Sequence, residues 1–189
     1  MKRLADFLTE YVIDKGIIRE TDRELYQYGF TIAIEVGLFI VFSLYVSLYL
    51  HMVIEGILFY VIFIPLRSYA GGLHFNRFCI CFFLSCSTFS IILLTVKYIH
   101  ISIAFSAALV TILIISVYVL YPVENINREV DHEENEYFKN RLKKFLLLDL
   151  LLVVMCAFFG NDKYVWVIAQ TLLLVVVTMA IGKYKYMMQ

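Results

Sequence analysis

Two stretches of this chain, residues 78–96 and 99–121, contain no Asp, Glu, Lys or Arg, and a third, 164–182, shares that property. Three more runs are nearly as apolar: 30–50 is interrupted only by Glu35, 52–66 by Glu55 and 145–159 by Asp149. A helix needs about 20 apolar residues to cross the hydrocarbon core of a bilayer, with roughly 17–25 tolerated. Four of the six runs reach that length, whereas 52–66 and 145–159 need flanking residues, tilt or local thinning. Apolar residues make up 62% of the chain and charged ones 17%, against roughly 45–50% and 25% in a soluble domain. A single soluble core of 189 residues would leave much of that surface without an interior to occupy. The pattern predicts an all-α, polytopic membrane protein with about six transmembrane helices, forming one membrane-embedded domain over 1–189.

Charge sets the expected orientation. Five of the sixteen Lys and Arg residues lie in 1–27, two in 67–77, five in 123–144 and two beyond Gly182. Only Lys97 and Lys163 occupy the alternate connections. Basic residues accumulate on the cytoplasmic side of a membrane protein. The 14-to-2 bias therefore predicts a multi-pass protein of the cell membrane with both termini, 67–77 and 123–144 in the cytoplasm. Treating either short run as something other than a span would place a basic block outside.

The N-terminus lacks the continuous apolar run of a secretory signal. Leu4, Phe7, Leu8, Tyr11 and Val12 instead recur at helical spacing, which predicts an amphipathic helix within 1–27. Such a face fits the membrane surface or the protein's own loops. Glu35 and Asp149 fall inside apolar runs, where an ionised carboxylate costs about 2.5 kcal/mol or more at mid-helix. Each is expected to be neutral or hydrogen-bonded to a neighbouring helix rather than part of a relay.

The segment with chemical potential is 67–81, RSYAGGLHFNRFCIC. Gly71 and Gly72 allow backbone conformations that other residues resist, so the chain can turn sharply there. His74 follows the pair, and Cys81 lies about one turn into the next apolar run. A thiol nucleophile needs a base that takes its proton and returns it to a leaving amine. On one straight helix residues seven apart share a face but sit about 10 Å apart along the axis. A His74–Cys81 pair therefore requires His74 in non-helical chain folded back over the helix start. A helix N-terminus, together with Arg67 or Arg77, would favour a negative sulfur.

Cys79 and Cys81, two apart, diverge on a helix, so at most one of them meets His74. Cys86 and Cys156 read as small buried apolar side chains. A metal site from His74, Cys79, Cys81 and Cys86 lacks the spacing of a structural zinc site. No metal, cofactor or nucleic-acid partner is expected.

At these residues the sequence resembles the AgrB family (accessory gene regulator B), membrane peptidases of Gram-positive peptide quorum sensing. Arg67, Gly71, Gly72, His74 and Cys81 fit the family's arginine-led loop, its glycines and its His-x6-Cys spacing, whereas Cys79 does not. Pro122, Asn127 and Arg128, followed by a charged helix, look like the family's later Pro…Asn-Lys/Arg segment, and Tyr28–Gly29 is a weaker match. One departure is Ser68, where some members carry a second arginine.

The resemblance implies a cysteine endopeptidase with Cys81 as nucleophile and His74 as acid–base. Arg67, Gly71, Gly72, Arg77, Pro122 and Asn127 would bind substrate or shape the loop. It implies an AgrD-like precursor peptide, cut through an acyl-enzyme and cyclised to a thiolactone or lactone, and a homodimeric enzyme. The segment 123–144 either grips a charged tail of the precursor or is a solvated helix pair. Asn76, Asn127 and Glu124 are alternative partners for orienting His74. The competing reading is a peptide transporter or exporter without proteolytic activity, which would rest on Glu35 and Asp149.

Overall fold

The computed structural model describes residues 2–71, 78–122 and 132–187, and these fold into seven α-helices with no strand among them. They are α1 (Lys2–Asp14), α2 (Arg23–Leu50), α3 (Val53–Ala70), α4 (Phe78–Tyr98), α5 (Ile103–Leu120), α6 (His132–Phe158) and α7 (Asp162–Met187). The all-α, polytopic expectation holds. Five helical stretches are long and apolar enough to cross a membrane: Glu20–Leu50, Val53–Ala70, Ile80–Tyr98, Ile103–Leu120 and Asp162–Lys185.

The sixth expected span, 145–159, is the second half of α6 and does not reach that standard by itself. Between Lys144 and the helix end at Phe158 the apolar stretch is about 21 Å long at 1.5 Å per residue, short of a core about 30 Å thick. It nevertheless runs the length of the bundle. Tyr69 of α3 stacks on Phe145 at 5.5 Å and meets Phe138 at 5.9 Å, while Val153 joins the core formed with α7.

The helices pack around two apolar clusters. One joins Ile62, Leu66 and Ala70 of α3 and Val110, Leu113 and Val117 of α5 to Leu142 and Leu146 of α6 and Ile168, Leu172 and Met179 of α7. The other centres on Phe59 and Phe89, whose rings meet edge-on at 5.1 Å, with Leu50, Met52, Val96 and Val167 around them. Lipid removes most of the hydrophobic drive between helices, so close packing and interhelical hydrogen bonds matter more. Gly56 supplies the first, because α2 approaches so closely that an added Cβ would run into Ser47 Oγ. Ser43 and Tyr60 hydroxyls bond to each other between α2 and α3, and Thr95 Oγ1 bonds Gln170 Oε1 at 2.7 Å between α4 and α7.

These contacts define two ends. Lys97 Nζ donates to the Leu50 carbonyl at 3.2 Å, and Val167 of α7 packs on Leu50 and Val96. That end gathers Lys97 and, one turn before Val167, Lys163. The opposite end gathers Arg67, Tyr121, Lys139, Arg141 and Lys143.

α1 doubles back on α2 as an antiparallel hairpin. Arg23 bonds Glu20 at 2.9 Å and Glu10 at 3.0 Å, and Gln27 bonds Asp6. The helix buries Ala5 and Thr9, while Leu4, Phe7 and Tyr11 remain at least half exposed. Much of the apolar stripe read from sequence thus stays exposed, as a helix at a lipid surface requires.

Candidate active site

The second span ends later than its apolar run suggests. α3 continues through Arg67 and Ser68 to Ala70, despite Pro65, and Gly71 ends it at φ 75°, ψ −154°. That conformation is nearly exclusive to glycine, which gives the expected turn a physical basis. Arg67 therefore stands in the last turn of a helix rather than in the loop. Its Nη1 donates to the Gly71 carbonyl at 2.7 Å, meeting one of the carbonyls that a helix end leaves without an internal partner. A cation there also complements the negative end of the helix dipole.

Cys81 is the fourth residue of α4, within its first turn or so, and its half-buried thiol is unpaired. The guanidinium of Arg67 lies within electrostatic range of that sulfur. The fold thus brings together two of the sequence-selected residues, one closing α3 and one opening α4, at the end of the bundle where basic residues collect. Cys86 is buried one turn deeper, and Cys156 is half-buried against the larger cluster, both matching the small apolar role expected of them. Gly72, His74 and Arg77 lie outside the described residues, as does the side chain of Cys79. Among the described residues no group of three or more His, Cys, Asp or Glu could hold a metal ion.

Pro122 follows the end of α5 and is exposed, whereas Asn127 lies outside the described residues. The structure adds a contact here that sequence reasoning missed. Tyr121 donates its hydroxyl to Asn135 Oδ1 at 2.7 Å and lies 3.1 Å from the Asn135 carbonyl, joining the chain before Pro122 to the start of α6. Burial pushes the Tyr121 phenol up, keeping it a hydrogen-bond donor. Nothing in the sequence links these two residues, which stand fourteen apart.

The two intramembrane carboxylates differ. Glu35 is half-buried on α2. Asp149 is only 6% exposed, and its Oδ2 has no hydrogen-bond partner among the described residues. Of the two states expected from sequence, neutral or hydrogen-bonded, this oxygen does not show the second among the described residues.

The chain matches the family model described as AgrB, accessory gene regulator B, over residues 1–179. It belongs to the AgrB family. Neither comparison, with curated proteins or with solved structures, gives a match. Membership implies a peptidase-like part in processing the autoinducing peptide of an accessory gene regulator system, with an AgrD-like precursor as partner. It also agrees with the apolar helices in making this a multi-pass membrane protein.

Proposed function

We propose that this AgrB-family protein is a membrane cysteine endopeptidase that cuts an AgrD-like precursor at the cytoplasmic face and passes its acyl group to an internal nucleophile. The observation that carries the reading is the position of Cys81, opening α4 within electrostatic range of the guanidinium that closes α3. His74, three residues after the Gly71 turn and seven before Cys81, supplies the acid–base group.

In the first step Cys81 Sγ attacks the scissile carbonyl carbon while His74 accepts the thiol proton. The C–N bond breaks, His74 gives the proton to the departing amine nitrogen, and a thioester to Cys81 remains. A thiol or hydroxyl of the bound substrate then attacks that thioester carbonyl. The new S–C or O–C bond closes the ring, and the released Cys81 sulfur recovers a proton through His74. A thioester and a product thiolactone are close in energy, so ring closure succeeds only where water is kept out. The half-buried position of Cys81 at the start of α4 supports such exclusion.

Arg67 orders the Gly71 turn, and Arg77, Gly72, Pro122 and Asn127 complete the surface that receives the precursor. Two protomers form the working unit. Incubating reconstituted protein with its precursor and weighing the products tests the reading. Cys81→Ala and His74→Ala should each abolish cleavage while Cys79→Ala retains most of it. Equal loss in all three folded variants would overturn the assignment, and intact precursor crossing the bilayer would favour a transporter instead.

A further inference from the structure

At the basic end of the bundle, two lysines from α6 converge on one ring of α5. Lys139 Nζ lies 5.9 Å and Lys143 Nζ 5.8 Å from the centroid of Tyr118. They are a like-charged pair four apart on a helix, an arrangement that repels. No carboxylate among the described residues lies within ion-pair distance to offset it, since the three ion pairs there all belong to Arg19 and Arg23. Glu136, one turn earlier on α6, does not reach Lys139. Arg141 is engaged elsewhere, donating from Nε to the Tyr137 hydroxyl at 3.0 Å. Two cations are thus held together over an aromatic face with no carboxylate of the described residues paired to either.

The surface beneath them is apolar. One turn from Tyr118 toward the middle of α5 stands Ile115, 58% exposed. One and two turns from Lys143 toward the middle of α6 stand Leu147 and Leu151, similarly exposed. Both strips run in the same direction, away from the end where α3 and α5 terminate. Lysine stems cover apolar surface while their ammonium groups reach the headgroup level, and basic pockets between spans recognise anionic headgroups. A ligand with a negative head and apolar chains matches this surface at both ends; a soluble anion matches only one.

We propose that Lys139, Lys143 and Tyr118 form a binding site for the phosphate headgroup of an anionic phospholipid, whose chains lie along Ile115, Leu147 and Leu151. The phosphate sits between the two ammonium groups and relieves their repulsion. This site uses neither Arg67 nor Cys81, and it stands whether or not the protein cleaves a peptide.

Native mass spectrometry of the full-length protein released from detergent, titrated with phosphatidylglycerol or phosphatidylcholine, tests the assignment. The wild type should retain phosphatidylglycerol and not phosphatidylcholine. A lysine near the membrane surface contributes about 1 kcal/mol to attraction of anionic lipid. Lys139→Gln or Lys143→Gln alone should therefore weaken retention about fivefold, and the pair roughly 30-fold. The Lys139→Arg/Lys143→Arg pair should retain the lipid, as should a control Lys183→Gln/Lys185→Gln pair at the same end of the bundle. Unchanged retention in the glutamine pair, equal loss in the control, or equal retention of phosphatidylcholine would overturn the proposal. So would glycerol 3-phosphate binding as tightly as the lipid, or dependence on this pair of an acidic peptide but not of phosphatidylglycerol.

Discussion

Replacing Gly71 with alanine perturbs the turn that carries the chain from α3 toward His74 by a single methyl group. At φ 75°, ψ −154° a side chain meets its own backbone, and residues held in such regions cost about 1–3 kcal/mol each. Relaxing that strain moves the Gly71 carbonyl off the Arg67 guanidinium, now 2.7 Å away, and a hydrogen bond to a charged group contributes about 1.5–3 kcal/mol. A midpoint of about 2 kcal/mol lowers the population of the native turn roughly 30-fold. Precursor cleavage by Gly71→Ala in proteoliposomes should fall by about that factor, with a smaller loss of melting temperature because the bundle core is untouched. A D-alanine introduced by semisynthesis prefers positive φ and should restore most of the activity. Gly37→Ala is the internal control: that glycine is helical, with nothing within 4 Å of an added Cβ, so the change should stabilise α2 by up to about 1 kcal/mol. If L-alanine at 71 cleaves at the wild-type rate, or D-alanine fares no better, the strained turn is not what organises the site.

Three further outcomes follow from the packing. Gly56→Ala should destabilise the protein by about 1–3 kcal/mol through overpacking, because its Cβ would strike Ser47 Oγ and lie 3.3 Å from Ser47 Cβ; a pair with Ser47→Gly should recover most of the melting temperature. Tyr121→Phe removes the hydroxyl bonded to Asn135, at about 1 kcal/mol for a neutral bond, and should speed limited proteolysis within 123–131 while leaving the thermal midpoint nearly unchanged. Asp149→Val should raise thermal stability by about 1–3 kcal/mol, the cost of a buried polar group with an unmet oxygen; a lowered midpoint would show that the carboxyl is satisfied in the membrane.

Much of the architecture was legible because lipid imposes a simple rule: a spanning segment is long, apolar and helical. Runs such as 99–121 met it without help, and their helices formed close to the expected bounds. The rule blurs where charge and apolar surface share one helix. α6 begins with the charged residues 132–144 and only then becomes apolar, so it traverses the bundle although its apolar half is too short to be recognised as a span. Helix ends are local backbone matters that hydropathy does not record. Arg67 looked like a loop residue because it is charged, yet it caps the helix to which it belongs. In the candidate site, Arg67, Gly71 and Cys81 were visible as residue types in a spacing, and the fold puts the arginine within electrostatic range of the thiol. The Tyr121–Asn135 contact and the Tyr118 lysine pair depend on which helices become neighbours, and no periodicity within one segment reveals that.

The central claim is that Cys81 carries the precursor's acyl group. Rapid acid quench of the reconstituted protein during turnover, followed by intact-mass measurement and peptide mapping, tests it directly. The account predicts an adduct with the mass of the cleaved precursor fragment, thioester-linked to Cys81, labile to hydroxylamine and lost in Cys81→Ala. Cyclic product formed with no adduct at any time point, or with the adduct on Cys79, would contradict it.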